Sequence, residues 1–355
     1  MEHFIDIYKK KPEVCEKLLE LDGIKINLKV DGKPFQVLYN EQSDSLEYHG
    51  RSGDETHVGP EIDDYTRLFS KPVNDAIAHV EKHVDVFKNY KFLTFEVIDN
   101  LLLLTAIIDK NDNFIQSADK IKEIADELGT DVMPTLWEGK LTDEQIDSIV
   151  NILSSAIVPE KKEFINWVHS MFDTYKNFPD KLISAADDYI EGIVFFFPVG
   201  EKIAEYKIVD PTYRQSMKDR DKGNEEEREK NADTYEKIYN TFVDYLENAK
   251  DPEWNVDVSW LEKLQRAFFY MMSDTKIFNK LINLGAKIRL NTSKTYAVQV
   301  DRVIPELQKA IRQKGNVYKQ LLELFIKLFY KEKKRGFVIS KEFQERINKI
   351  ITDNK

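Results

Sequence analysis

Two hydrophobic rhythms divide this chain. Through residues 23–211, short runs of β-branched, aromatic and aliphatic residues recur between turn signals, at 24–28, 35–39, 45–49, 92–98, 101–108, 189–196 and 203–209. They predict an antiparallel sheet with helices inserted at 72–87, 117–128 and 142–155. The second of these stops at Gly129, and Thr142-Asp143-Glu144 opens the third with a cap and first-turn acids. Beyond Tyr213 the spacing becomes helical. Tyr235, Ile238, Tyr239, Phe242, Tyr245 and Leu246 form one stripe, and Trp260, Leu261, Leu264, Phe268, Phe269 and Met272 form the next. Further helical stretches follow at 277–284 and 303–330. Such stripes are core faces, since an amphipathic helix buries its apolar side by default. Between the two regimes, residues 218–230 carry Asp219-Arg220-Asp221-Lys222-Gly223-Asn224 and Glu225-Glu226-Glu227, a linker composition. The expected fold class is therefore α+β, with a sheet domain over 1–217 and an all-α domain over 218–355.

A chain of 355 residues exceeds the size at which a single core stops growing, about 250 residues, so two domains are expected. The single cysteine, Cys15, excludes an intramolecular disulfide framework and a zinc cluster, which suits a reducing, cytoplasmic setting. The Met1-Glu2-His3 opening is followed by no long apolar run, so neither a signal peptide nor a membrane partner is expected.

The net charge of −11 speaks against a polyanion partner until its distribution is considered. Residues 261–355 hold 21 Lys and Arg against 9 Asp and Glu, a surplus of 12 that leaves the first 260 residues at −23. A basic C-terminal third on an acidic body is the asymmetry of a nucleic-acid-binding tail. It is also the charge of a solvated helical face. The basic run Lys331-Glu332-Lys333-Lys334-Arg335-Gly336, with Lys341, admits the same two readings.

Five short motifs carry candidate chemistry, in this order: Lys29-Val30-Asp31-Gly32, Gly50-Arg51-Ser52-Gly53, Phe95-Glu96-Val97, Glu191-Gly192-Ile193-Val194 and Tyr206-Lys207-Ile208. A lysine amine attacks only when neutral, yet it titrates near ~10.4, so its site must favour loss of the proton, which neighbouring positive charge does. The guanidinium of Arg51 has the planar fork that binds phosphate and sugar oxygens in fixed geometry. Glu96 and Glu191 lie in apolar strand-like runs, where a buried carboxylate needs a partner such as a metal. Gly32 is expected to permit a tight turn or a close approach to a ligand. An Asp-Gly turn alone accounts for Asp31.

This ordered set resembles the ATP-dependent polynucleotide ligase and messenger-RNA capping superfamily of covalent nucleotidyltransferases, with an ATP-grasp-like ligase domain, over roughly residues 21–215. The short segment before Lys29 and the helical tail look most like the phage-type RNA ligases that seal nicks. Absence of a strand-rich, barrel-like C-terminal region speaks against DNA ligases and GTP-using capping enzymes. The resemblance implies that Lys29 is the nucleophile, forming lysyl-AMP from ATP with Mg²⁺ or Mn²⁺ and passing AMP to a 5′-phosphate end for sealing to a 3′-hydroxyl. It implies that Asp31 lies near metal-bound water or the reacting end and that Arg51 reaches the ribose and the end to be joined. Glu96 then contacts ribose or a metal-bound water, Glu191 helps hold the metal, and Lys207 contacts the phosphates. The implied partners are RNA ends, as a nicked duplex or an RNA/DNA hybrid.

Two features depart from the family pattern. Val209 stands where a second lysine usually follows Lys207, leaving Lys202 and Arg214 as local substitutes. Leu101-Leu102-Leu103-Leu104 replaces the usual adenine-stacking aromatic. Leu28, expected beside the nucleotide, has no side-chain hydrogen-bonding group, so base identity must rest on backbone groups or be read elsewhere. Val132-Met133-Pro134-Thr135-Leu136-Trp137-Glu138-Gly139 resembles the family's connector, with Pro134 and Gly139 as turn residues and Trp137 as a packing anchor. A non-catalytic nucleic-acid-binding relative is the remaining alternative.

Overall fold

The computed structural model describes residues 2–50, 58–113, 115, 117–155, 161–172, 190–200, 202–210, 219, 226, 229–248, 257–288, 298–330 and 345. They group into two units: Met1–Glu61 with Asp75–Lys218, and Ile62–Asn74 with Asp219–Lys355.

In the first unit the strands are β1 (Glu2–His3), β2 (Ile24–Val30), β3 (Lys33–Asn40), β4 (Ser45–His49), β5 (Tyr90–Ile98), β6 (Leu101–Asp109), β7 (Asp131–Val132), β8 (Thr135–Gly139), β9 (Ile190–Val199) and β10 (Lys202–Val209). They form two five-stranded sheets, ordered β1-β10-β9-β2-β8 and β4-β3-β5-β6-β7. The sheets are mixed, whereas the sequence predicts antiparallel pairing throughout. The parallel pairs are those of the two-residue edge strands, β1 on β10 and β7 on β6.

Strict alternation in β2 assigns its two faces. Ile24, Ile26, Leu28 and Val30 are buried, while Lys25, Asn27 and Lys29 are half-buried on the opposite side. The apolar face is covered by α1 (Phe4–Lys10), α2 (Pro12–Leu19), α7 (Asp143–Ser154) and α8 (Lys161–Phe172), which contribute Phe4, Leu19, Ile149, Leu153 and Phe164 to one core with Phe195 and Phe197. The Phe4 ring lies 5.4 Å from each of those two phenylalanine rings, the separation of a favourable aromatic pair. Ile98, Leu101 and Leu103 of the second sheet join the same core, so the two sheets share a hydrophobic seam.

The helices begin and end where side chains satisfy the backbone. In α7, Thr142 caps Gln145 and receives a reciprocal bond, a complete capping box. In α6 (Ala118–Leu128), Ser117 caps the start and Gly129 closes the end at φ 62°, a conformation that favours glycine. The single helix expected over 72–87 is instead α4 (Lys71–Val80), a 3₁₀ turn at Glu81–His83, and α5 (Val84–Phe87).

The second unit is helical among its described residues. It contains α3 (Asp64–Phe69), α9 (Ala232–Asn248), α10 (Trp260–Ser273), α11 (Thr275–Gly285), α12 (Pro305–Lys314) and α13 (Asn316–Tyr330). Tyr239, Phe242, Phe268, Tyr318 and Phe325 form its centre, and Tyr65, Leu68 and Phe69 of α3 are part of that core. Tyr65 stacks on Tyr330 at 5.1 Å, and the Gln299 amide donates to Leu68 O at 2.7 Å. No helix among the described residues is long and apolar enough to cross a membrane.

Candidate active site

Lys29 sits near the end of β2, and its Nζ donates to Glu191 Oε2 across 162 residues of chain. Both side chains are 17 % exposed, within reach of a ligand yet shielded from bulk water. A bulge creates the contact. Lys29 stands opposite Gly192, but Val30 stands opposite Ile190, so Glu191 is the extra residue of β9 and its carboxylate is turned toward the lysine.

Gly192 has to be glycine. A Cβ there would collide with the Ile208 carbonyl and stand 2.9 Å from Val209 Cα, because β10 runs close beside it as the antiparallel partner of β9. The Asp210 amide donates to Glu191 O at 2.7 Å and closes that approach. The strand carrying Glu191 is therefore pinned on both sides.

Partners across an antiparallel pair share a face. Register places Lys29, Gly192 and Val209 in one row, and Asn27, Val194 and Lys207 in the next. Lys207, half-buried, thus lies on the Lys29 side of the sheet, one row away. Asn27 Oδ1 accepts from Thr135 Oγ1 at 3.0 Å on that same face. Lys25, two residues further along, has its amine pushed below the usual lysine range by burial, a shift that nearby Glu138 opposes.

Glu96 reaches the site from the second sheet. It stands opposite Pro34 of β3 and Leu103 of β6, and its side chain lies against Gly32, where a Cβ would be 2.6 Å from Glu96 Cγ. Gly32 does not adopt a positive φ. Its missing side chain makes room for Glu96, which differs from the tight-turn role expected. Asp31, between Lys29 and Gly32, is exposed. Lys33, the next residue, is also lowered from the ordinary lysine range by burial.

Leu28 faces away from Lys29. Its side chain is 2 % exposed and lies in the core on the face opposite Lys29, and its amide donates to Pro134 O at 2.9 Å. Strand alternation dictates this, since neighbours on a strand point to opposite faces. Leu101 and Leu103 are likewise core residues. Val209 is 3 % exposed over Gly192. Arg51, Arg214, the side chain of Lys202 and the basic run 331–341 lie outside the described residues.

Among the described residues no three His, Cys, Asp or Glu side chains converge as a metal cage. Mg²⁺ ordinarily needs none, being held by one or two carboxylates together with substrate phosphates and waters. Glu191 beside Lys29 and Glu96 beside Gly32 fit that requirement.

No family model matches the chain, and no curated protein does. Among solved structures it is similar to a Naegleria gruberi RNA ligase with PPi, at 13 % identity and a TM-score of 0.34, over 62 % of this chain and 57 % of that one. A variant of that ligase with AMP and Mn gives 15 % identity and 0.35 over the same shares. An archaeal ATP-dependent RNA ligase gives 10 % identity and 0.32, over 95 % of this chain and 70 % of that one. Likenesses this distant assign no activity, so the chemistry rests on the residues described above.

Sequence reasoning missed one feature of the site. The 132–139 connector supplies β8, an edge strand paired with β2, rather than a turn-rich link. Trp137 packs against the first-unit core as the anchor expected.

Proposed function

We propose that this protein is an ATP-dependent RNA ligase working through a covalent lysyl-AMP at Lys29. The observation that carries the reading is the contact of Lys29 Nζ with Glu191, made by a bulged strand that Gly192 locks against β10. A lysine held at a carboxylate, on one face with a second lysine, with another carboxylate against the turn that follows it, is an arrangement suited to nucleotidyl transfer.

The deprotonated amine of Lys29 attacks the α-phosphorus of ATP, a P–N bond forms, and the bond to pyrophosphate breaks. Glu191 orients the amine, and Lys207 faces the phosphates. A 5′-phosphate oxygen then displaces Lys29 from the AMP phosphorus, and the amine regains its proton. Attack by a 3′-hydroxyl on the activated 5′-phosphate expels AMP and leaves a phosphodiester. Arg51 is assigned to the ribose and the end to be joined, and Asp31 to the reacting end. Glu191 and Glu96 would hold Mg²⁺ or Mn²⁺, which would neutralise triphosphate charge. The basic helical unit holds the polynucleotide.

Sealing of a 5′-phosphate, 3′-hydroxyl nick tests the reading, with RNA or DNA supplying the 3′-hydroxyl strand. ATP-dependent joining of the RNA strand supports it. Equal joining of an all-DNA nick makes the protein a DNA ligase, and no joining with either refutes ligation.

A further inference from the structure

Between Asp274 and Asp301 the chain carries no Asp or Glu, although 63 acids in 355 residues would put about four or five in a stretch of that length. Helix α11 lies at its start. Lys276, Lys280 and Asn283 are exposed and stand four and three residues apart, which puts them on one face of the helix. Ala286 keeps helical dihedrals, so Lys287, also exposed, continues the row. The opposite face is spent on the core. Leu281 and Ile288 are buried there, and a Cβ on Gly285 would stand 3.1 Å from Val317 Cγ1 of α13, so the helix is closely seated and its outer row is held in place.

Neighbouring helices neutralise their cations. Lys237, Arg266 and Lys327 each meet a carboxylate one turn away, Asp233, Glu262 and Glu323, at 2.5, 2.6 and 2.7 Å. Helix α11 has no such partner to offer, and among the described residues its lysines form no ion pair. Asp274, the nearest acid in sequence, is used as the N-cap, accepting from Lys276 N at 2.8 Å and from Ile277 N at 3.2 Å. Helix α9, by contrast, carries Asp233, Glu236, Asp244 and Glu247 against Lys237 alone, so the charge of the unit is unevenly spread.

Three uncompensated ammonium groups along about 17 Å of helix attract a polyanion, and the row is long enough to meet several phosphates of one strand. It offers no ring to a base. Phe278, the aromatic residue of α11, lies 6.3 Å from the Tyr318 ring of α13 and is covered by Lys314 Nζ at 4.1 Å. A helix that lies on a membrane needs its apolar side free, and here that side is in the core. We propose that the outer row of α11, Lys276, Lys280 and Lys287, holds the phosphate backbone of the polynucleotide without reading its base sequence. The choice of occupant rests on the ligase function proposed above.

The test is fluorescence anisotropy with a nicked RNA duplex between about 50 and 200 mM salt, on the full chain and on the triple variant Lys276→Gln, Lys280→Gln, Lys287→Gln. The variant is expected to bind at least about tenfold more weakly, with log affinity falling less steeply against log salt by about two to three, since each phosphate contact contributes about 0.9 to that slope. The loss should be the same on a duplex of unrelated sequence, and a loss confined to one sequence overturns backbone holding. A charge-matched control, Lys91→Gln, Lys110→Gln, Lys120→Gln, removes three ion-paired lysines of the sheet unit and is expected to bind as the parent does. Equal loss in the control, parent affinity in the α11 variant, or no binding by the parent overturns the proposal. Parent affinity for RNA together with lost binding to phosphatidylserine vesicles overturns it in favour of a membrane surface. Urea denaturation is expected to give the triple variant the parent's midpoint. Should it fail to fold, the single variants are used, each expected to reduce the slope by about one. No labelling of the parent by ATP or GTP refutes the ligase reading, while anisotropy still decides the surface.

Discussion

Gly32, in the turn between β2 and β3, and Glu96 of β5 meet so closely that there is no room for a methyl group between them. A Cβ on Gly32 would lie 2.6 Å from Glu96 Cγ and 3.0 Å from its Oε1. The turn after the candidate nucleophile and a candidate metal-binding carboxylate therefore form one unit.

Gly32→Ala is expected to fold, because the obstructing atoms are side-chain atoms of Glu96 and Ile98 rather than backbone. Its thermal midpoint should fall by only a few degrees, equivalent to about 1 kcal/mol. Labelling of Lys29 by ATP should fall on the order of tenfold or more through displacement of Glu96. Labelling at the parent rate would show that Glu96 plays no part in the transfer.

Gly192→Ala should behave differently, since the obstacle is the backbone of Ile208 and Val209. We expect a loss of stability on the order of 3 kcal/mol, the upper end for overpacking, measured by urea denaturation. A variant as stable as the parent would mean that β10 does not approach β9 as described.

These two glycines mark how far the sequence could be read. The alternation in β2 and the cap at Thr142 follow local rules and were legible, with element ends shifted by a residue or two. Lys29, Asp31, Gly32, Glu96, Glu191 and Lys207 were recognisable as an ordered set. The bulge that turns Glu191 onto Lys29 was not, because an extra residue in one strand shows only against its partner. The alternation that buries the Leu28 side chain was visible in the sequence. The grouping of Ile62–Asn74 with the helical unit was hidden for another reason. Tyr65, Leu68 and Phe69 mark an apolar helix face, and nothing local tells which core that face enters.

Glu323 supplies a pH dependence outside the site. It is 1 % exposed in the helical core, and burial raises its carboxyl above the usual range although Lys327 lies 2.7 Å away. A folded value above the unfolded one means that the folded state binds more protons there, so this group's contribution to stability declines as pH rises from about 4.3 through the folded value. The difference in thermal midpoint between parent and Glu323→Gln should therefore shift with pH in that window, in favour of the variant at the higher end. A constant difference would contradict the raised value.

The surplus of 12 positive charges in residues 261–355 implies counterion release on binding polynucleotide. Affinity for nicked RNA, measured by fluorescence anisotropy, should fall by at least about tenfold between 50 and 200 mM salt. Affinity indifferent to salt would remove the helical unit from the binding reading.

Glu191→Gln keeps the shape of the contact with Lys29 while removing the charge. It should fold as the parent does and lose about a hundredfold in labelling rate, the scale of a deleted electrostatic contact at a reacting centre. Labelling within a factor of two of the parent would make the Lys29 contact a structural pair.

Incubation of the full chain with α-labelled ATP or GTP and Mg²⁺, followed by a denaturing gel and repeated with Lys29→Ala, tests the central claim most directly. The account predicts an acid-labile label from ATP that the variant lacks. Label from GTP alone would make the protein a capping-type transferase, and label that survives Lys29→Ala, or no label from either nucleotide, would contradict the assignment of Lys29 as nucleophile.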